Sequence, residues 1–207
     1  MKMENAERFN VVTSLVGVVT AVAGVAVLIP VAVRQGDPWK IVSFGIYGFS
    51  LVSLYATTTL YHLLAGRAKR IFKELDHDSI FILIAGTYTP FSLVTLRGGW
   101  GWTLFGLVWG FALLGIAKVR WPGLLPQVPE MAIYLGMGWV VVIAIGPLLR
   151  ACPLPGVAFL ALGGLFYTGG TLFYALGKRT AWLHGVWHLF VLAGSISHYL
   201  AVYIYIA

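Results

Sequence analysis

Residues 11–33 read VVTSLVGVVTAVAGVAVLIPVAV, an uninterrupted run without one charged side chain. A helix crosses the hydrocarbon core of a bilayer with about 20 such residues, so this stretch alone is long enough to span. Six further runs free of Lys, Arg, Asp and Glu follow it: Ile41–Leu64, Ser79–Leu96, Trp100–Ala117, Met131–Leu149, Gly156–Leu176 and Ala181–Ala207. Strands of a membrane barrel would be roughly 10 residues long and alternate in polarity, which these do not. The connectors are too short to hold a soluble domain. Composition agrees: 59% of the 207 residues are hydrophobic and 10% charged, where a soluble domain carries about 25% charge. The sequence therefore predicts an all-α integral membrane protein, one seven-transmembrane helix bundle over residues 1–207. Its 25 glycines and 8 tryptophans suit that class, since small residues let membrane helices approach and Trp favours the headgroup region. The Gly163-Gly164 and Gly169-Gly170 pairs mark a tightly packed face of the sixth span. The single cysteine, Cys152, excludes an internal disulfide framework and a Cys-rich zinc module.

The formal charge of +7 does not point to nucleic acid, because the basic residues lie in short pieces between apolar runs. They report topology instead. Lys2, Arg8, Arg67, Lys69, Arg70, Lys73, Lys118, Arg120, Lys178 and Arg179 fall on one side, and Arg34, Lys40, Arg97 and Arg150 on the other. Positive residues stay in the cytoplasm, so the N-terminus is expected inside and the C-terminus outside, in the cell membrane. Ala21-Val22-Ala23 before Gly24 imitates a signal-peptidase site. Glu4 and Glu7 spoil the positive n-region, however, and the apolar run continues past it, so retention as a first helix is expected.

Polar groups are costly inside a bilayer and call for an explanation wherever they occur. His62 closes the second span, Asp76-His77-Asp78 opens the third, and His184 and His188 lie in the first turns of the seventh, all at the cytoplasmic end. His198 sits deeper, about 15 Å further along by helical rise. His184 and His188, at i and i+4, share one helix face and can chelate one cation. Zinc takes imidazole nitrogen and prefers four tetrahedral ligands; His62 is the natural third, leaving a position for water, as in catalytic sites. Asp76 then holds that water or takes its proton, and Thr58, one turn before His62, orients Asp76 or the water. Plainer readings stand beside these. Histidines at membrane edges also face headgroups, and Asp76 also reads as a solvated counter-charge to the basic run Arg67–Lys73. His77 and Asp78 read as interfacial, His198 as a helix-packing group or a deep substrate contact, Tyr88, Tyr167 and Tyr174 as packing or belt residues, and Cys152 as incidental.

Several ordered motifs then resemble one family. Leu75-Asp76-His77-Asp78-Ser79-Ile80 with Ile84-Ala85-Gly86-Thr87-Tyr88-Thr89-Pro90-Phe91, the string Thr59-Leu60-Tyr61-His62, the run Gly163-Gly164…Tyr167-Thr168-Gly169, and His184…Trp187-His188-Leu189-Phe190…Ser195…His198 are similar to bacterial haemolysin-III proteins. These are the prokaryotic branch of the progestin and adipoQ receptor family. The resemblance covers essentially the whole chain. It implies seven helices with the N-terminus inside, and Zn2+ near the cytoplasmic face on His62, His184 and His188. It also implies that Asp76 meets zinc through a water, and that Thr58 stands where the family has serine. Of the family's N-terminal pattern, Glu7, Asn10 and Thr13 match, while Ser14 replaces a histidine. Alkaline ceramidases in the wider superfamily make lipid amide hydrolysis the favoured chemistry by analogy. The expected function is thus a zinc-dependent hydrolase of lipid amides or esters, its substrate drawn from membrane lipids into an intramembrane pocket, with Asp76 and Thr58 in the catalytic roles. A zinc-stabilised receptor or sensor is the alternative, and a pore or transporter the third. A pore needs polar residues through the midplane, where the charged groups are missing. The patch Arg67–Lys73 reads most simply as a contact for anionic headgroups.

Overall fold

A computed structural model describes residues 5–121, 123 and 128–207. Among these residues there is no strand, and seven segments are long and apolar enough to cross a membrane. The elements are α1 (Asn5–Gln35), α2 (Pro38–Leu63), α3 (Gly66–Pro90), α4 (Gly99–Arg120), α5 (Glu130–Trp139), α6 (Ile145–Ala151), α7 (Leu154–Gly177) and α8 (Trp182–Tyr205). Five spans are single helices of this set. The third is α3 with a π-helical turn, Phe91–Thr95, and the fifth is α5 and α6 joined by a 3-10 turn, Val140–Ala144.

Both irregularities have local causes. Pro90 has no N–H to return to the preceding turn, and the helix beyond it widens into the π turn. In the fifth span the ladder fails at Trp139, and Tyr88 of α3 mends it. The Tyr88 hydroxyl donates to the Gly138 carbonyl at 2.6 Å and accepts from the Val141 N–H at 2.9 Å. Tyr88 is therefore a packing residue with a specific task, which its place in an apolar run did not reveal.

α3 begins at Gly66, whose φ of +62° suits glycine, and not near Ser79 as the apolar run suggested. Its first three turns are rich in Arg, Lys and Glu, which are good helix formers but invisible to a hydropathy reading. Asp76, His77 and Asp78 consequently lie inside a helix, with neighbouring helices on either side. Within that helix Asp78 is buried and His77 half-buried. Asp78 pairs with Arg120 at the end of α4, which also reaches Glu74 at 2.5 Å. His77 Nδ1 stands 3.0 Å from Glu130 Oε2 at the start of α5. Both residues tie α3 to its neighbours.

The most extensive helix contacts are α7 with α8, α2 with α3, and α1 with α2, and α1 also packs on α8. Gly185 permits that last approach: a Cβ there would overlap the Phe9 ring of α1 and stand 2.9 Å from Asn10 Oδ1. α5 touches α3, α4 and α7 only lightly. The thin packing of α5 leaves a cavity of about 510 Å³ between it and the α1–α2–α3–α7–α8 wall.

A candidate metal centre and the cavity beneath it

Three histidines converge at one end of this cavity. His62 comes from the last turn of α2, and His184 and His188 from the first two turns of α8. One ring nitrogen from each lies within 4.8 Å of the others, and the ring centroids are 4.8–5.2 Å apart. Two nitrogens on one tetrahedral zinc stand roughly 3.4 Å apart, so small side-chain rotations bring all three onto one ion. His62 and His188 are buried, at 5% and 6% exposure, and His184 is half-buried.

The hydrogen bonds around these rings fix which nitrogen faces inward. His62 Nδ1 lies 2.7 Å from Glu7 Oε2, and Glu7 is itself held by Lys69 Nζ at 2.8 Å. An ionised carboxylate only accepts, so Nδ1 carries the proton and Nε2 keeps a lone pair. That Nε2 is buried and has no hydrogen-bond partner among the described residues. His188 Nδ1 lies 3.1 Å from Thr13 Oγ1. The Thr13 hydroxyl also stands within hydrogen-bond distance of the Phe9 and Asn10 carbonyls, at 2.9 and 3.0 Å. Its one proton goes to those carbonyls, so it accepts Nδ1–H and again leaves Nε2 with the lone pair. Two imidazoles thus present Nε2 lone pairs inward, each with Nδ1–H anchored on α1, an arrangement repeatedly seen behind metal-bound histidine. Two imidazoles so oriented, one with an orphaned buried nitrogen, beside the ring of His184, fit zinc.

Asp76 is not one of the converging ligands. It lines the same cavity and is bonded at Oδ1 by the Thr58 hydroxyl, while Thr58 also contacts the Leu54 carbonyl at 2.8 Å. The structure therefore brings together His62, His184 and His188 as one group, and Thr58 with Asp76 as a second group on the same wall. Glu7 and Thr13 were not singled out as site residues from sequence. The available signal was a carboxylate and a hydroxyl on the first span at the level of His62. The Ser14 hydroxyl donates to the Asn10 carbonyl at 2.8 Å. Below the histidines the wall turns apolar through Leu54, Leu83, Ile84, Leu135 and Val191, with polar side chains returning near His198.

A profile of the haemolysin-III-related family matches residues 3–199. The chain belongs to that family. Among relatives, it is 39% identical to the hemolysin-3 homolog of Bacillus subtilis (strain 168), covering 95% of this chain and 92% of that one. It is 36% identical to hemolysin-3 of Bacillus cereus, over 95% and 90% of the two chains. A more distant likeness, 26% identity over 91% and 79%, is to the human monocyte to macrophage differentiation factor. This haemolysin-III family member is a multi-pass membrane protein, with seven segments among the described residues long and apolar enough to span. The family resemblance drawn from the motifs therefore holds over nearly the full length.

One prediction arises from the anchoring of His62. Glu7→Ala removes the acceptor that fixes its tautomer, and zinc affinity is expected to fall by about 10- to 100-fold. Competition against a chelator of known affinity measures it. Unchanged affinity would mean that Glu7 does not orient the ring.

Proposed function

We propose that this protein is a zinc-dependent hydrolase of lipid amides or esters, with its site on the side that the Lys and Arg asymmetry assigns to the cytoplasm. The observation that carries the reading is the convergence of His62, His184 and His188 at the head of a cavity that Asp76 also lines. Zinc, when bound, supplies a Lewis acid that polarises a carbonyl and lowers the pKa of a water toward 7. The chain's own residues do the rest. Glu7 and Thr13 hold the two anchored imidazoles in the metal-binding tautomer. Thr58 holds the Asp76 carboxylate, which takes the proton as water oxygen bonds to the carbonyl carbon. The same carboxyl returns that proton to the amine or alkoxide as the C–N or C–O bond breaks. The apolar wall below houses the acyl chain, so the lipid carbonyl sits at the histidines and its tail runs toward the midplane.

The test is turnover of ceramide-like and phospholipid substrates by the purified protein, with zinc quantified in the same sample. Hydrolysis that tracks zinc content supports the reading. Stoichiometric zinc without turnover of any lipid favours a receptor or sensor. Ion flux through liposomes that survives zinc removal favours a pore. Thr58 supplies a further prediction: Thr58→Val is expected to lower turnover about 10- to 100-fold with zinc retained, and Thr58→Ser to restore most of it. Equal rates in all three proteins would remove Thr58 from the mechanism.

A further inference from the structure

The far end of the cavity holds a second polar cluster that hydrolysis at the histidines does not use. Tyr55 of α2 donates its hydroxyl to Ser195 Oγ of α8 at 2.8 Å, and the Tyr167 hydroxyl of α7 stands 2.9 Å from the same oxygen. The His198 ring packs edge-on against Tyr167, with centroids 5.4 Å apart. Its Nε2 lies 3.0 Å from the Leu160 carbonyl, which can only accept, so Nε2 carries the proton and Nδ1 the lone pair. The expected helix-packing bond of His198 is thus made by one nitrogen. The other, Nδ1, is buried without a partner among the described residues.

Proton counting shows what the cluster lacks. Three hydroxyls carry three protons, and the two contacts between them use two. One O–H donor is therefore unspent, on Ser195 or Tyr167, and the ring of His198, with its unspent Nδ1, packs against Tyr167. Buried polar groups are normally paired, and each unpaired one is costly. The helix geometry is also built to hold these rings at the wall. A Cβ on Gly163 would overlap the His198 ring, and one on Gly194 would lie 2.9 Å from Tyr167. Tyr55, Tyr167 and His198 all line the cavity.

We infer that this cluster is a subsite for a hydroxyl carried partway along the ligand's acyl chain. A hydroxyl both donates and accepts, so one group satisfies Nδ1 and the spare O–H together, which a bare hydrocarbon cannot do. Ser195 lies seven residues and His198 ten residues beyond His188 on α8, or about 10 and 15 Å along the helix. A carbonyl at the histidines therefore brings the middle of a long chain to the cluster. The inference rests on the proposed function only for where the head of the lipid lies.

The test compares binding of oleate, ricinoleate (the same chain with a mid-chain hydroxyl) and the methyl ether of ricinoleate. The full-length protein in nanodiscs is used, both zinc-loaded and after chelation. Ricinoleate is expected to bind about tenfold tighter than its methyl ether or oleate, and the preference is expected to persist without zinc. His198→Phe keeps a ring in the Gly163 slot, and it should cost ricinoleate about tenfold while leaving oleate unchanged; His198→Gln, with both a donor and an acceptor, should recover part of the preference. Because the three ligands are compared on the native protein, the result does not depend on a variant folding. Affinities within about twofold across the three lipids would overturn the subsite, as would a loss in His198→Phe shared equally by all three. A preference that stands while no lipid is hydrolysed would sink the hydrolase reading and leave this one intact.

Discussion

His188→Ala is expected to take the purified protein from about one zinc per chain to essentially none. The ring is buried, is held by Thr13, and is one of the three imidazoles that converge among the described residues. On the proposed reading, losing one of three protein ligands leaves an incomplete set, since zinc prefers four donors and water can supply only what the protein leaves open. A ligand that binds only the folded state stabilises it by mass action. The native protein should therefore melt at a lower temperature after chelation, and His188→Ala should melt low with or without added zinc. Metal analysis paired with a thermal melt reads both effects. A variant that keeps stoichiometric zinc, or a native melt indifferent to chelation, would contradict the site.

Asp76→Asn separates metal binding from chemistry. Asparagine keeps the side chain's shape and an Oδ1 that the Thr58 hydroxyl can still reach, but it cannot take up a proton. Because Asp76 is not among the converging ring nitrogens, zinc content is expected to stay near the native value. Turnover is expected to drop by roughly 10²- to 10⁴-fold, the usual contribution of a positioned general base. The measurement is the initial rate on whichever lipid the native protein hydrolyses, normalised to bound zinc. A loss of zinc in proportion to rate would make Asp76 part of the metal's support. A native rate in the variant would leave the carboxylate no role in proton transfer.

The parts of this site that could be read from sequence were those with short-range spacing. His184 and His188 announce themselves at i and i+4, and the alternation of spans brings His62 to their level. Thr58 and Asp76 follow from helix periodicity and depth, and the structure joins them by a hydrogen bond. The supports were hidden because their partners are remote in the chain. Glu7 and His62 are 55 residues apart, and Thr13 and His188 are 175 apart. No local pattern marks such pairs. The resemblance matched Glu7 and Thr13 to the family without saying what they touch. Hydropathy also blurred the ends and breaks of spans. α3 runs back through Lys73 to Gly66 because charged helix formers extend it beyond the apolar run, and within it Asp78 is a buried partner of Arg120. The break at Val140–Ala144 lies in a wholly apolar stretch, and only the Tyr88 hydroxyl reveals it. Tyr167 reads as a packing residue in sequence, and its hydrogen bond to Ser195, 28 residues further along the chain, joins two helices.

X-ray absorption at the zinc edge on the purified native protein addresses the metal site itself. Three imidazole nitrogens and one oxygen donor at about 2.0–2.1 Å are expected, with the bound zinc lost in His62→Ala as it is in His188→Ala. A spectrum with fewer imidazoles, or one unchanged when His62 is removed, would show that α2 and α8 do not share an ion.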